Sequence, residues 1–199
     1  MTNTHLQVSD LSDNENKLSF KKVFISKSSL LDYRNNLLYE VSKNGEIIAT
    51  IEINSTLTAT IHYNSETYYI KPLTKFFRVK KLELFSAENF KIGEIDYWRW
   101  AWNKSKITLF GTDENETWEY DKNSPSFFSS RKNMYSTFLR KNNDTISYTI
   151  ESGKFFGNNT KNNCLREING TIAFTGSCNL IMLLGVYLNE LLIFEEAEK

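Results

Sequence analysis

Residues 175–199 read TGSCNLIMLLGVYLNELLIFEEAEK, and the stretch from Leu180 to Phe194 is the one long apolar run in a chain otherwise made of short, asparagine-rich segments. At 100° per residue its twelve large apolar side chains leave no wide polar face, so a helix formed here must be surrounded on every side. Lipid is one such surrounding. Fifteen residues at about 1.5 Å each span roughly 22 Å, however, short of the ~30 Å hydrocarbon core. Asn189 and Glu190 also interrupt the run. A carboxylate near the bilayer interior costs about 2.5–3.5 kcal/mol even on lenient insertion scales. A tail-anchored protein is therefore the lesser alternative, and the surrounding is sought in the rest of the chain. Ser177 or Asn179 is placed to cap the first turn.

Upstream, the pattern is that of strands. LLYEVSKNGEIIATIEI carries two apolar-rich runs that meet at Asn44-Gly45, a pair suited to the positive φ angles of a type I′ hairpin. LTATIHY, TYYI, FFRVKKLELF, KIGEIDYW, SKITLF, ETWEY, YSTFLR, TISYTI and TIAFTG follow, separated by Asn, Asp, Ser, Gly or Lys clusters. In TLTATIHY, Leu57, Ala59, Ile61 and Tyr63 share one face and Thr58, Thr60 and His62 the other, as in a sheet with one wet side. Short spacings without helical periodicity between Leu37 and Thr175 predict an antiparallel meander rather than βαβ units.

Sheet and helix together give the fold class: a mainly β protein, a closed antiparallel β-barrel of roughly a dozen strands with a central apolar C-terminal helix. Closure removes the exposed sheet edges and supplies apolar side chains on all sides of the helix. Residues 1–17 are expected to be a loose terminus and residues 18–199 a single domain, as the length of 199 residues favours. NGEIIATIEI, ETYYIKPL, KIGEIDYW, SKITLF, NGTIAFTG and the terminal NLIMLLGVYLNELLIF give the chain, over about residues 18–194, a plan that resembles the tubby C-terminal-like superfamily, which includes the LURP-one-related and phospholipid-scramblase-like proteins. The resemblance implies a barrel threaded by its last helix and a tendency toward lipid or membrane association. It transfers no functional position, because no phosphoinositide-binding motif maps residue by residue.

Lys+Arg and Asp+Glu balance at 24 each, which removes the global field that would draw nucleic acid. The first twenty residues lack the basic and apolar regions of a signal peptide, and a cytoplasmic protein, at most peripheral to membranes, is expected. Cys164 and Cys178 lack metal-type spacing, and only His5 and His62 offer imidazoles, so neither a metal site, a cofactor nor a histidine-centred triad is expected. SGKFFGNNT lacks the order of a phosphate loop. Glu94 and Asp96 alternate onto one side of a strand, where solvated carboxylates are the plainer account than an acid/base pair.

Two clusters remain as candidate sites. In DYWRWAWNK an extended chain would project Trp98, Trp100 and Trp102 to one face, either as an aromatic platform for a ligand or, more simply, as lining of the barrel interior. Basic residues gather in KFFRVKKLE and at 131–141, and Arg78, Lys80, Arg131 and Lys132 would form a patch for an anionic lipid headgroup if they met on the outer face. The expected function is that of a non-enzymatic binding or adaptor module, with anionic phospholipid or a protein as partner. A barrel holding a small hydrophobic ligand inside is the alternative.

Overall fold

Strict alternation writes the sheet into the sequence. In β1 (Lys17–Val23) Leu18, Phe20 and Lys22 are buried while Lys17, Ser19 and Lys21 are exposed. The computed structural model describes residues 16–23, 36–54, 56–75, 78–96, 105–111, 114–122, 134–155, 166–175 and 179–197. The further strands are β2 (Asn36–Lys43), β3 (Glu46–Asn54), β4 (Ala59–Tyr63), β5 (Glu66–Lys75), β6 (Arg78–Ser86) and β7 (Lys91–Asp96). After them come β8 (Lys106–Leu109), β9 (Glu116–Lys122), β10 (Met134–Lys141), β11 (Asp144–Phe155) and β12 (Arg166–Phe174), and the chain ends in helix α1 (Leu180–Ala197).

Each strand pairs antiparallel with its neighbours in sequence, and β1 pairs with both β2 and β12, so the meander closes into a barrel. Leu18 opposite Ile172 and Phe20 opposite Gly170 form the seam. The strand that sequence patterning had not singled out is thus the one that closes the sheet. It begins at Lys17, one residue before the expected onset of order.

One rim consists of tight turns. Asn44 and Gly45 take φ of 53° and 88°, the expected hairpin geometry, and Asn64 with Ser65 repeats it at 52° and 65°. Asn89 and Asn142 adopt positive φ at two further turns of the same rim. Asparagine tolerates this left-handed region better than other residues with a Cβ, which gives the asparagine-rich composition a structural use in a chain with only 8 glycines.

The helix lies inside. Every residue from Leu180 to Leu191 is buried, on all sides of the helix. Inward side chains such as Val41, Ile51, Ile61, Ile70, Leu82, Ile107, Leu139, Ile150 and Ile172 are at most 1% exposed. Fully burying a side chain of this kind contributes about 1.5–3 kcal/mol before entropy is subtracted. Asn179 caps the helix: its Oδ1 accepts from the Ile181 amide at 3.2 Å. Among the described residues no helix is long and apolar enough to cross a membrane. Asn189 and Glu190, which interrupt the apolar run, sit in the filled interior at 2% and 0% exposure.

Candidate functional site

A carboxylate in a dry core demands partners. Alternation turns Lys22 inward on β1 and Tyr39 inward on β2, and the two are direct cross-strand neighbours. They grip opposite oxygens of one group: Lys22 Nζ donates to Glu190 Oε1 at 2.8 Å, and the Tyr39 hydroxyl donates to Oε2. Both charged side chains of this ion pair are fully buried.

The preceding residue is held from another wall. Asn189 Oδ1 accepts from the Tyr120 hydroxyl of β9 and from Thr137 Oγ1 of β10, each at 2.9 Å, while its Nδ2 donates to the Gly185 carbonyl at 2.9 Å. Consecutive helical residues point about 100° apart. In a barrel of twelve strands the midpoint of β1 and β2 lies four strand positions from that of β9 and β10, roughly 120° round the axis. The two fixings therefore match the helix's own geometry, and together they set its rotation and its depth.

Higher in the barrel the helix comes close to β11. The Tyr148 hydroxyl donates to the Met182 carbonyl at 3.0 Å, and a Cβ added at Gly185 would lie 2.0 Å from that hydroxyl oxygen. Gly185 is the space in which the tyrosine lies. Tyr187 donates to the Leu57 carbonyl in the β3–β4 connection at 2.6 Å, and burial pushes its phenol strongly up from the ordinary value. These polar groups are internally satisfied and none is presented to solvent, so they locate the helix and are not disposed for chemistry on a substrate.

On the outer wall several lysines are paired with carboxylates, while Lys71 instead donates to Asn89 at 3.0 Å. Lys81 donates to Glu94 at 2.6 Å and lies 3.5 Å from Asp96, and Lys91 reaches Glu83 at 2.8 Å and Glu94 at 3.2 Å. The hydrogen bond from Lys81 holds the Glu94 carboxyl below its usual range against some opposing burial. Lys21 with Glu40, Lys106 with Glu119 and Lys141 with Glu116 repeat the arrangement. Among the described residues no three His, Cys, Asp or Glu side chains converge on a metal position.

Of the candidate lipid patch, Arg78 and Lys80 lie on β6, with Arg78 paired to Lys75 at the hairpin end and Lys80 opposite the register shift between Leu73 and Thr74. Their side chains, and Arg131 and Lys132 altogether, lie outside the described residues, as do Trp98, Trp100 and Trp102. Strand β7 itself ends at Asp96.

A depression of about 300 Å3 opens on the outer wall where β3, β4 and β5 approach the tight-turn rim. A β-bulge makes it: Val41 pairs with Ala49 but Ser42 with Ile47, which leaves Ile48 as the extra residue and turns Ile47 outward to 56% exposure. Thr50, His62 and Thr67 form a cross-strand row beside it, with His62 Nδ1 3.1 Å from Thr67 Oγ1. Glu66 completes the lining and accepts from the Tyr68 hydroxyl. Burial first, and then this bond to Glu66, push the Tyr68 phenol up to about 12. Comparison with protein-family models, with curated proteins and with solved structures finds no match to this chain.

Proposed function

We propose that the chain is a non-enzymatic binding module that meets its partner on the outside of the barrel, and that the partner is a polypeptide. The filled interior carries this reading. From Leu180 to Leu191 the helix is buried on every side, and its polar groups are bonded to the wall. A small hydrophobic ligand would need that same volume, and a tail anchor would need that same helix. What remains for recognition is the outer face, where Lys21, Lys81, Lys91, Lys106 and Lys141 are already neutralised by carboxylates. That distribution favours a polypeptide over an anionic membrane. The membrane-lipid reading rests instead on the tubby-like resemblance and on Arg78, Lys80, Arg131 and Lys132.

Co-sedimentation of the full chain with phosphatidylserine-containing vesicles at two salt concentrations separates the two partners. A polypeptide-binding module stays in the supernatant at both. Salt-sensitive pelleting that is abolished by Arg78→Glu/Lys80→Glu, with an unchanged melting temperature, would instead assign anionic lipid. Saturable, stoichiometric uptake of a fluorescent fatty acid would overturn the outer-surface reading altogether.

A further inference from the structure

The helix is tied to β1 by an amine and a carboxylate that meet out of reach of solvent. Lys22 Nζ and Glu190 Oε1 are 2.8 Å apart, and neither side chain has exposed surface. In water an ammonium and a carboxylate do not condense, because hydration stabilises both ions. A dry interior withdraws that stabilisation, and moving one proton along the existing Nζ–H···Oε1 bond yields a neutral amine beside a neutral acid. The same bond puts Nζ roughly 3.5 Å from the carboxyl carbon, a near-attack distance, and groups so held react with effective molarities on the order of 10⁵–10⁸ M. The wall pairs Lys81–Glu94 and Lys91–Glu83 are as close, at 2.6 and 2.8 Å, but their side chains are between 22% and 34% exposed and keep their hydration. The third component is Tyr39, the cross-strand neighbour of Lys22. Its hydroxyl donates to the other oxygen, Oε2, where negative charge collects once an amine has added to the carboxyl carbon.

We infer that Lys22 and Glu190 condense into an intramolecular amide, which joins the first strand covalently to the last helix. The Nζ lone pair adds to Cδ of the protonated carboxyl, and Oε2 takes the negative charge against the Tyr39 hydroxyl. A second Nζ proton then passes to Oε1, the Cδ–Oε1 bond breaks and Oε1 leaves as water. The carbonyl re-forms at Oε2 and the third proton stays on the amide nitrogen. Net charge is zero before and after, Tyr39 keeps its proton, and no co-reactant is consumed. Newly folded chains hold the ion pair, so stability measured on fresh protein is that of the pair, and the amide accumulates with age. The product closes a covalent ring across 168 residues of sequence separation, with β2 to β12 inside it. This chemistry belongs to the interior and is independent of what the outer wall binds.

The test reads the full chain by intact mass spectrometry when freshly purified and again after weeks at neutral pH, followed by tryptic peptide mapping. The aged protein is expected to be one water lighter, with a cross-linked peptide that joins Lys22 to Glu190 and no cleavage after Lys22. Glu190→Gln should reach the same amide by losing ammonia instead of water, and Lys22→Arg should keep its full mass. Tyr39→Phe should condense about a hundredfold more slowly, the effect of removing one donor to a developing oxyanion. Where a variant fails to fold, the mass and map of the parent chain decide. Aged protein that retains its near-ultraviolet circular dichroism and its full mass would overturn the amide, as would a water loss mapped to other residues. Condensation of Tyr39→Phe at the parent rate would overturn the part assigned to the phenol.

Discussion

Removing one member of the Lys22–Glu190 pair should cost far more than removing both. Lys22→Met leaves a fully buried carboxylate with its Tyr39 bond but without its cation, and breaking a buried pair in this way costs about 3–5 kcal/mol. Against a total stability on the order of 5–15 kcal/mol that is a large fraction. At about 2–4 °C per kcal/mol for a chain of this size, the melting temperature should fall by roughly 6–20 °C. Glu190→Leu alone strands the lysine and should cost a similar amount. Lys22→Met/Glu190→Leu, with Tyr39→Phe to remove the hydroxyl together with its acceptor, replaces the cluster by apolar groups and should return to within about 1–2 kcal/mol of the parent. Urea unfolding followed by tryptophan fluorescence measures all the variants; two single losses of about 3–5 kcal/mol would add to about 6–10, so a combined loss of about 1–2 means a non-additivity of at least about 4 kcal/mol. Single variants that each cost less than about 1 kcal/mol and add without coupling would refute the view that this pair is a desolvated fixing of the helix.

Gly185→Ala gains up to about 1 kcal/mol in helix propensity, but its Cβ would lie 2.0 Å from the Tyr148 hydroxyl oxygen. A net loss of about 1–3 kcal/mol is expected, and Tyr148→Leu in the same chain should recover part of it in thermal melts. Leu184→Asp buries an unpaired carboxylate at a position with 0% exposure, and ending the chain at Asn179 removes the filling altogether. Both should give aggregated or molten protein by near-ultraviolet circular dichroism, and cooperative unfolding of the truncated chain would sink the threaded barrel. Alkaline pH should destabilise the fold from about pH 10 upward. There the unfolded chain loses tyrosine protons that Tyr68, with its pKa at about 12, and Tyr187 keep when folded. The native state then binds more protons, so stability falls as pH rises. Urea midpoints measured at pH 8 and pH 11 check the sign.

The helix and the hairpins were legible because they depend on short-range pattern. An all-round apolar run has few soluble solutions, and Asn44-Gly45 specifies its turn chemistry by itself. Lys22 was not legible as an interior residue. In KLSFKKV two lysines stand side by side, and only the phase set by Leu18 and Phe20 shows which one points inward. Glu190 was visible in the sequence as an interruption of the apolar run, and pairing it with Lys22 required knowing that the first strand closes the barrel. Ile47 could not be found by alternation, because the bulge that turns it outward depends on how β2 and β3 slip past each other. Lys81 looked available in a basic run until its pairing with Glu94 and Asp96 across the sheet was seen.

The seam between β1 and β12 has a consequence for how the molecule is made. The ribosome delivers Lys17–Val23 well before Arg166–Phe174, so at about 5–20 residues per second the first strand waits roughly 7–30 s for its closing partner. The helix follows last, after every wall that must surround it. Until then the nascent sheet has two open edges and an apolar inner face with nothing against it, including a lysine whose counter-charge has not been synthesised. Chaperone dependence should therefore be concentrated in the interval before residues 166–197 are made, and variants that slow synthesis before residue 180 should reduce yield without altering the stability of the molecules that do finish.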